Sequence, residues 1–392
     1  MGDNMKVRFA ICGLGFAGSV LMAPAMKAHP DVEIIAACDP NAETREKFGA
    51  DFQIPTFASL NELLASVKPD AVYIASPHQY HCEHVLLAAE HGVNIIVEKP
   101  LTLSLSDADR MIAAVKDRGV HLVVGHSRSH DPVIKTMRHI IDSGDVGRLA
   151  MINCWNYTDF LYRPRRPEEL DTYKGGGIVF NQLPHQIDSI KAISGQTITS
   201  VHAIAGILDP KRPTQGHCTA LLKLSNGVSA SLVYSGYDHF DSDELQFWVA
   251  EGGRKKTPNH GNSRRVLSEL PAGGEAAMRV QRYGYGGPIS KGFAAGEIGR
   301  QQPHFGIMVA TCEQGDLRPS PTGVLIYGNE GIREVDAMVG RGSFGQGDTI
   351  DELVDAMAGR KPVMRDAAWG RNTVAVCLAI LESSKTGQPV EV

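Results

Sequence analysis

Short apolar runs separated by amphipathic stretches fill the first third of the chain. Val7 to Cys12, Val32 to Cys38, Ala71 to Ala75, Asn94 to Val97 and His121 to Gly125 read as buried strands. Between them, a helical stretch running on to His29 and the segments Ala42 to Phe48, Ser59 to Ser66, His81 to His91 and Ser106 to Arg118 read as helices. Strands alternating with helices predict an α/β fold with a doubly wound parallel sheet. After about Ser129 the pattern changes. A helix over Pro132 to Ser143 leads into Leu149 to Asn156, where polar and apolar residues interleave. Ser200 to Ile207, Thr219 to Leu224, Val228 to Tyr234 and Glu244 to Ala250 also read as strands, and Asn226-Gly227 is a hairpin turn. These predict a second, α+β domain with a largely antiparallel sheet. The segment from Gly252 to Arg300, rich in Gly, Pro and basic residues, reads as irregular loop; Thr349 to Ala358 and Trp369 to Thr386 read as helices. The expected domains are 1–128 and 129–392. No internal repeat appears.

Composition narrows the class. The chain has 392 residues, 43% of them hydrophobic, enough for two ordinary cores. A net charge of −5 with interspersed signs leaves no electrostatic footprint for nucleic acid. No apolar run approaches the roughly 20 residues of a membrane span. The polar start, Met1 to Arg8, runs directly into a strand and does not read as a signal peptide. Seven cysteines without CxxC pairs, among them Cys12, Cys38 and Cys377, read as reduced core thiols. A soluble cytoplasmic protein is expected.

The first chemical motif is Gly13-Leu14-Gly15-Phe16-Ala17-Gly18, which follows a strand and opens a helix. Gly13 permits the tight turn, Gly15 lets the backbone approach a pyrophosphate, and Gly18 allows close helix–strand packing. The helix start, with Phe16 and Ala17, turns free N–H groups toward phosphates. Asp39, 21 residues past Gly18 at the end of the next strand, accepts from ribose hydroxyls. Its carboxylate repels a 2′-phosphate, so NAD is expected rather than NADP. Ser76, Pro77 and His78 follow the third strand and are expected, with His81, to line the cofactor. His78, His81 and His84 have ligand-like spacing, yet no Cys or carboxylate arrangement completes a metal site. No metal is expected.

The second motif is Glu98-Lys99-Pro100. Pro100 stops an apolar strand and biases Lys99 toward extended backbone. A lysine at the carboxyl end of a buried strand sits where open α/β sheets bind ligands. The third is Gly175-Gly176-Gly177 leading to Asn181, His185 and Asp188, which one continuous helix would set on one face.

Together the three motifs resemble those of the glucose–fructose oxidoreductase/inositol dehydrogenase (Gfo/Idh/MocA) family, over nearly the whole chain. The resemblance implies a Rossmann domain, a C-terminal open sheet through which homodimers or homotetramers form, a catalytic Lys99 and a catalytic His185. Asn181 stands where the family commonly has Asp, and Leu183 where it has Gly, which departs from a triad with a carboxylate beside the histidine. Asn181-Gln182, the insert Tyr157 to Leu170 and Asp316-Leu317-Arg318-Pro319 look like the subgroup of phthalate 4,5-cis-dihydrodiol (4,5-dihydroxyphthalate) dehydrogenases. Arg163, Arg165, Arg166 and Arg128 suit that substrate, since guanidinium forks bind carboxylates bidentately. The alternative for the Arg-Pro segment is a solvated arm or an oligomer contact. Substrate candidates are therefore Lys99, Arg128, Tyr157, Arg163, Arg165, Arg166, Asn181 and His185, and the catalytic set is Lys99, His185 and Asn181. The expected reaction moves a hydride from a secondary alcohol to NAD while Lys99 or His185 takes the hydroxyl proton. A sugar, inositol or other polyol dehydrogenase is the alternative within the class, and an NAD-binding sensor without turnover the alternative outside it.

Overall fold

The computed structural model describes residues 6–287, 301–340 and 345–392. They divide into two compact units: 6–126, 277–287 and 345–371 in the first, and 127–276, 301–340 and 372–392 in the second. The expected division after 128 falls two residues late, and the rest of the chain is not one block. The segment around Gln346–Met357 belongs to the first unit because its apolar face is core. Ile350, Leu353 and Val354 pack with Phe9, Ile11, Ile96 and Val123.

The first unit is a parallel sheet of β1 (Val7–Cys12), β2 (Val32–Cys38), β3 (Thr56–Phe57), β4 (Ala71–Ile74), β5 (Asn94–Glu98) and β6 (Leu122–Gly125) in the order 3-2-1-4-5-6. The order in which strands are added reverses between the parallel neighbours β1 and β4, and such a switch point is where sheets of this kind hold ligands, at the strands' carboxyl ends. The short β3 and the extension of the second helix to Phe52 are the refinements here.

The second unit holds β7 (Leu149–Tyr157), β8 (Ile198–Gly206), β9 (His217–Leu224), β10 (Ser229–Ser235), β11 (Ile307–Cys312), β12 (Gly315–Pro319), β13 (Gly323–Gly328), β14 (Gly331–Asp336) and β15 (Val390–Glu391). Their order is 14-13-12-11-7-10-9-8-15, antiparallel except for the parallel pair β7 and β10. Helices cover one face: Gln186 Nε2 donates to Val233 O, and the backbone N–H groups of Ala203 and Ala205 donate to Ser383 Oγ and Ser384 Oγ. The other face leaves Trp155 and Leu221 exposed at 50% and 64%.

Two expectations fail in this unit. Glu244 to Ala250 is not a strand: Ser242–Gln246 is a 3-10 turn, capped by Asp241, and Phe247 and Trp248 both take positive φ, which no strand allows. Nor is the segment after Gly252 all loop, since Asn262–Ser268 and Gly274–Tyr283 are helices. Residues 288–300 of that expected loop, and 1–5 of the polar start, lie outside the described residues. All seven cysteines are buried and free. Among the described residues, no helix is long and apolar enough to cross a membrane.

Candidate active site

The glycine turn of the first unit is shaped by contacts at strand ends. Gly13 has φ +99, and a side chain there would strike Ala75 at 2.7 Å. A side chain on Gly18 would collide with Gly13 O, so helix and turn close on each other only without one. Gly15 differs: its Cβ position faces open space at the start of the helix Phe16–Met22. An opening of this kind at a helix start leaves room for an anion to approach the backbone. Phe16 packs edge-on against Tyr283, at 5.7 Å between ring centres, while Ala17 continues the first helical turn. Asp39 reaches back to the turn. Its Oδ2 accepts from Leu14 N at 2.8 Å and its Oδ1 from Asn41 N at 2.9 Å.

The next two loops are tied together by a buried histidine. The ring nitrogens of His81 lie 3.0 Å from Pro100 O and 2.9 Å from Ser76 O. Burial pushes this imidazole down to about 4. Ser76 Oγ in turn lies 2.9 Å from His84 Nδ1. Pro77 precedes the turn His78–Tyr80, and the His78 ring sits edge-on to His81 at 5.6 Å. His81 and His84 therefore serve the loops that carry Ser76 and Lys99. Lys99 follows β5 directly, half-buried, with its N–H donating to Glu98 Oε2 at 3.1 Å. The Lys99–Pro100 peptide is cis. Tyr73 donates to Glu98 Oε1 at 2.5 Å.

In the second unit the expected single helix is two, Gly177–Asn181 and Leu183–Ser194, broken at Gln182 (φ −110) with Pro184 in the first turn of the second. Asn181 and His185 thus do not share one helical face. Asn181 Nδ2 donates to Gly175 O at 2.6 Å and Gly177 O at 3.0 Å, holding the glycine turn. Asp188 is buried and accepts from Ser129 N at 2.8 Å. The His185 ring packs on Phe305 at 4.8 Å. Over the same Phe305 ring lies the Arg128 guanidinium, 5.1 Å from its centre. Arg128 is 5% exposed and donates to Asp131 Oδ2 and to Glu251 O, each at 3.2 Å. Arg163 pairs with Asp159 at 2.6 Å and approaches Glu251 Oε1 at 4.0 Å. Tyr234 donates to Gln182 Oε1 at 3.1 Å and stacks toward Phe305.

The structure therefore gathers His185, Arg128 and Arg163 around Phe305 and Glu251. It does not bring Tyr157, Arg165 or Arg166 there. Tyr157 packs against Phe240, on the face of β7 opposite Asn156. Arg165 caps Phe160, donating to its carbonyl at 2.7 Å, and Arg166 is exposed beside Glu168 and Glu169.

Comparison with known proteins decides what this framework is. Residues 7–126 match the model described as "Oxidoreductase family, NAD-binding Rossmann fold", and residues 134–253 match the GFO/IDH/MocA C-terminal domain. The chain belongs to the Gfo/Idh/MocA family. It is an NAD-dependent oxidoreductase, and its first unit is the NAD-binding Rossmann domain. The 1-carboxy-3-chloro-3,4-dihydroxycyclohexa-1,5-diene dehydrogenase of Comamonas testosteroni is 37% identical over 97% of this chain and 95% of its own. The scyllo-inositol 2-dehydrogenase (NAD(+)) of Bacillus subtilis is 30% identical over 52% of this chain and 58% of its own. A crystal structure from Bordetella bronchiseptica RB50 superposes with a TM-score of 0.94 at 66% identity, covering 99% of this chain and 100% of that one.

Within this Gfo/Idh/MocA protein, several groups at the two clusters escape sequence reading. Phe305 and Glu251 lie more than a hundred residues from Arg128, and nothing local marks them. Tyr73 is different: it is a polar-tipped aromatic in an otherwise aliphatic buried strand, and that oddity was visible. Among the described residues, no group of three His, Cys, Asp or Glu is placed to hold a metal ion.

Proposed function

We propose that the enzyme oxidises a secondary alcohol on a carboxylated cyclohexadiene ring, a carboxylated aromatic cis-dihydrodiol such as phthalate 4,5-dihydrodiol. The observation that carries this reading is the near full-length similarity to a dehydrogenase of a carboxylated dihydroxycyclohexadiene. NAD, when bound, accepts the hydride. Gly13, Gly15, Gly18 and Asp39 fit it because the turn leaves open space only at Gly15 and the acid already faces the turn. Ser76, Pro77, His78 and Glu98 are the further candidates for its surroundings.

Lys99 takes the hydroxyl proton. It stands at the end of β5, fixed in the same sheet that carries the nucleotide turn, and desolvation beside a cationic nicotinamide favours its neutral form. His185 donates to or accepts from the substrate oxygen, with Phe305 fixing its ring. Arg128 and Arg163 face the substrate carboxylate. The ketone formed from a dihydrodiol tautomerises to a catechol, so oxidation runs downhill.

The polyol reading has its own support in the similarity to an inositol dehydrogenase. Asp131, Asp159 and Glu251 around the arginines would then accept sugar hydroxyls. NADH absorbance with a carboxylated cis-dihydrodiol against inositols and sugars separates the two. We further infer a cytoplasmic protein that self-associates through the bare sheet face. Its support is the exposed Trp155 and Leu221, and Leu221→Asp should lower the mass seen in sedimentation.

A further inference from the structure

Glu98 is a half-buried carboxylate at the foot of Lys99, given no proton or hydride to move in the reaction as proposed. Each of its oxygens is engaged. Oε2 accepts the Lys99 N–H at 3.1 Å, and Oε1 accepts the Tyr73 hydroxyl at 2.5 Å. The second bond is made by topology. Tyr73 on β4 pairs with Ile96 on β5, so Glu98 lies one diagonal step further along the same face. Tyr73 itself is 1% exposed, with its ring in the core beside Phe9, Ile11 and Ile96. A phenol so placed cannot swing to another partner. Burial and the Glu98 charge raise its pKa well above 10, so it remains a donor at any working pH.

We propose that Tyr73 is a positioning residue for Lys99, acting through Glu98: its hydroxyl fixes the Glu98 carboxylate that accepts the Lys99 N–H. The proposal rests on the reading of Lys99 as proton acceptor. The Glu98 pKa is raised on balance by burial, which Lys99, the Tyr73 hydroxyl and the Lys99 N–H partly offset. An ionised Glu98 in turn favours the charged form of Lys99. Tyr73 therefore sets how readily the lysine gives up its proton.

Among the described residues, the elements packed on β5 bring the following other groups. On β6 the neighbour is Gly125, where a side chain would sit 3.4 Å from Glu98 Oε1. The helix His81–Glu90, packed on β5, carries Glu83, Glu90, His81 and His84, with both histidines engaged at Ser76. The helix Gln346–Met357 carries Asp348, Asp351, Glu352 and Asp355. Asp351 pairs with His29, Glu352 with Arg365 and Asp355 with Arg360.

The test reads the Lys99 pKa directly, from the pH dependence of its acetylation by acetic anhydride, followed by peptide mass spectrometry. It compares the unmodified protein with Tyr73→Phe, Glu98→Gln and the double variant. Tyr73→Phe should lower the Lys99 pKa by about one unit, the usual spread that a protein environment imposes. Glu98→Gln should lower it at least as far, and the double variant should match Glu98→Gln alone. An unchanged Lys99 in Tyr73→Phe, or a double variant equal to the sum of the singles, overturns the proposal. If Tyr73→Phe does not fold, Glu98→Gln decides: an unchanged Lys99 overturns it and a lowered one sustains it. Lys99→Ala assayed for turnover keeps the two ideas apart. A full rate there removes Lys99 as the base, whatever the labelling shows of its coupling to Tyr73.

Discussion

In the Rossmann unit, the groups of the site are held by neighbours one strand or a few residues away. Asp39 accepts from Leu14 N–H, Glu98 from Tyr73 and from the residue after it, and His81 spans the Ser76 and Pro100 loops. In the second unit the partners are remote. Arg128 donates to the carbonyl of a residue 123 positions away, and its ring partner Phe305 is further still. The first arrangement presents backbone groups and one lysine with modest charge around it. The second sets two arginines among three acids, Asp131, Asp159 and Glu251, which hold the guanidinium groups in place before any ligand arrives. A parallel sheet delivers chemistry at strand ends by construction. An open antiparallel sheet has no such focus and must assemble one from side chains.

The largest expected effect separates these two kinds of site. Lys99→Ala should lower kcat by at least about 100-fold, the range of a general acid–base group, and leave NAD binding nearly intact. His185→Ala should lower kcat as well. Near-normal turnover in the lysine variant would make the strand end a binding feature alone and move the chemistry to the second unit.

Acid should strain both units through one buried histidine each. His81 in the first and His304 in the second are each pushed down by burial to about 4. With the folded pKa below the unfolded value of 6.5, their contribution is intact above about pH 6.5. It is lost as pH falls toward 4, because the unfolded chain takes the protons first. At about 1.4 kcal/mol per unit, each costs about 3 kcal/mol by the end of that window. Urea midpoints measured from pH 7 to pH 4 should show this slope. Replacing either histidine by Gln should reduce it, and identical slopes in the unmodified and variant proteins would contradict the assignment.

The arginines sharpen the contrast further. Arg163→Ala should raise KM for a carboxylated dihydrodiol by roughly 10- to 100-fold, from the 1.5–3 kcal/mol of a charged hydrogen bond. A neutral polyol should be little affected. Arg166→Ala, exposed beside Glu168 and Glu169, should change neither. If Arg163 and Arg166 variants treat both substrates alike, the second unit reads no carboxylate and the polyol reading gains.

Legibility follows the same divide. Gly13, Gly18 and Asp39 could be placed from sequence because a strand–turn–helix has fixed spacing, and the structure puts steric demands at those glycines. Asn181 and His185 could not be related correctly. Their helical spacing assumed one continuous helix, and the break at Gln182 is set by the glycine turn and Pro184 together. In sequence, Arg163, Arg165 and Arg166 read together, as carboxylate binders or as a solvated arm or oligomer contact. The three arginines instead turn to Asp159, to Phe160 and to Glu169, because each guanidinium finds a local acceptor. The helix Gln346–Met357 was visible as a helix, but the unit it belongs to depends on packing that no local pattern encodes.

The smallest expected effect concerns cofactor choice, and it asks whether the first unit is as local as it looks. Asp39 spends one lone pair of each oxygen on its own backbone, Leu14 N and Asn41 N, leaving the others for ribose hydroxyls. A 2′-phosphate would meet that carboxylate as a like charge, so the unmodified enzyme should prefer NAD clearly over NADP. Asp39→Ala removes both the repulsion and the support of the turn. Its kcat/KM with NAD should fall, by about tenfold for one charged hydrogen bond, and the ratio of NAD to NADP should move toward one. Asp39→Asn keeps an acceptor for only one of the two N–H groups and should fall between. Equal kcat/KM for the two cofactors in the unmodified enzyme would refute the selective role. A variant that loses NAD without any gain toward NADP would show that Asp39 serves the glycine turn and not the ribose.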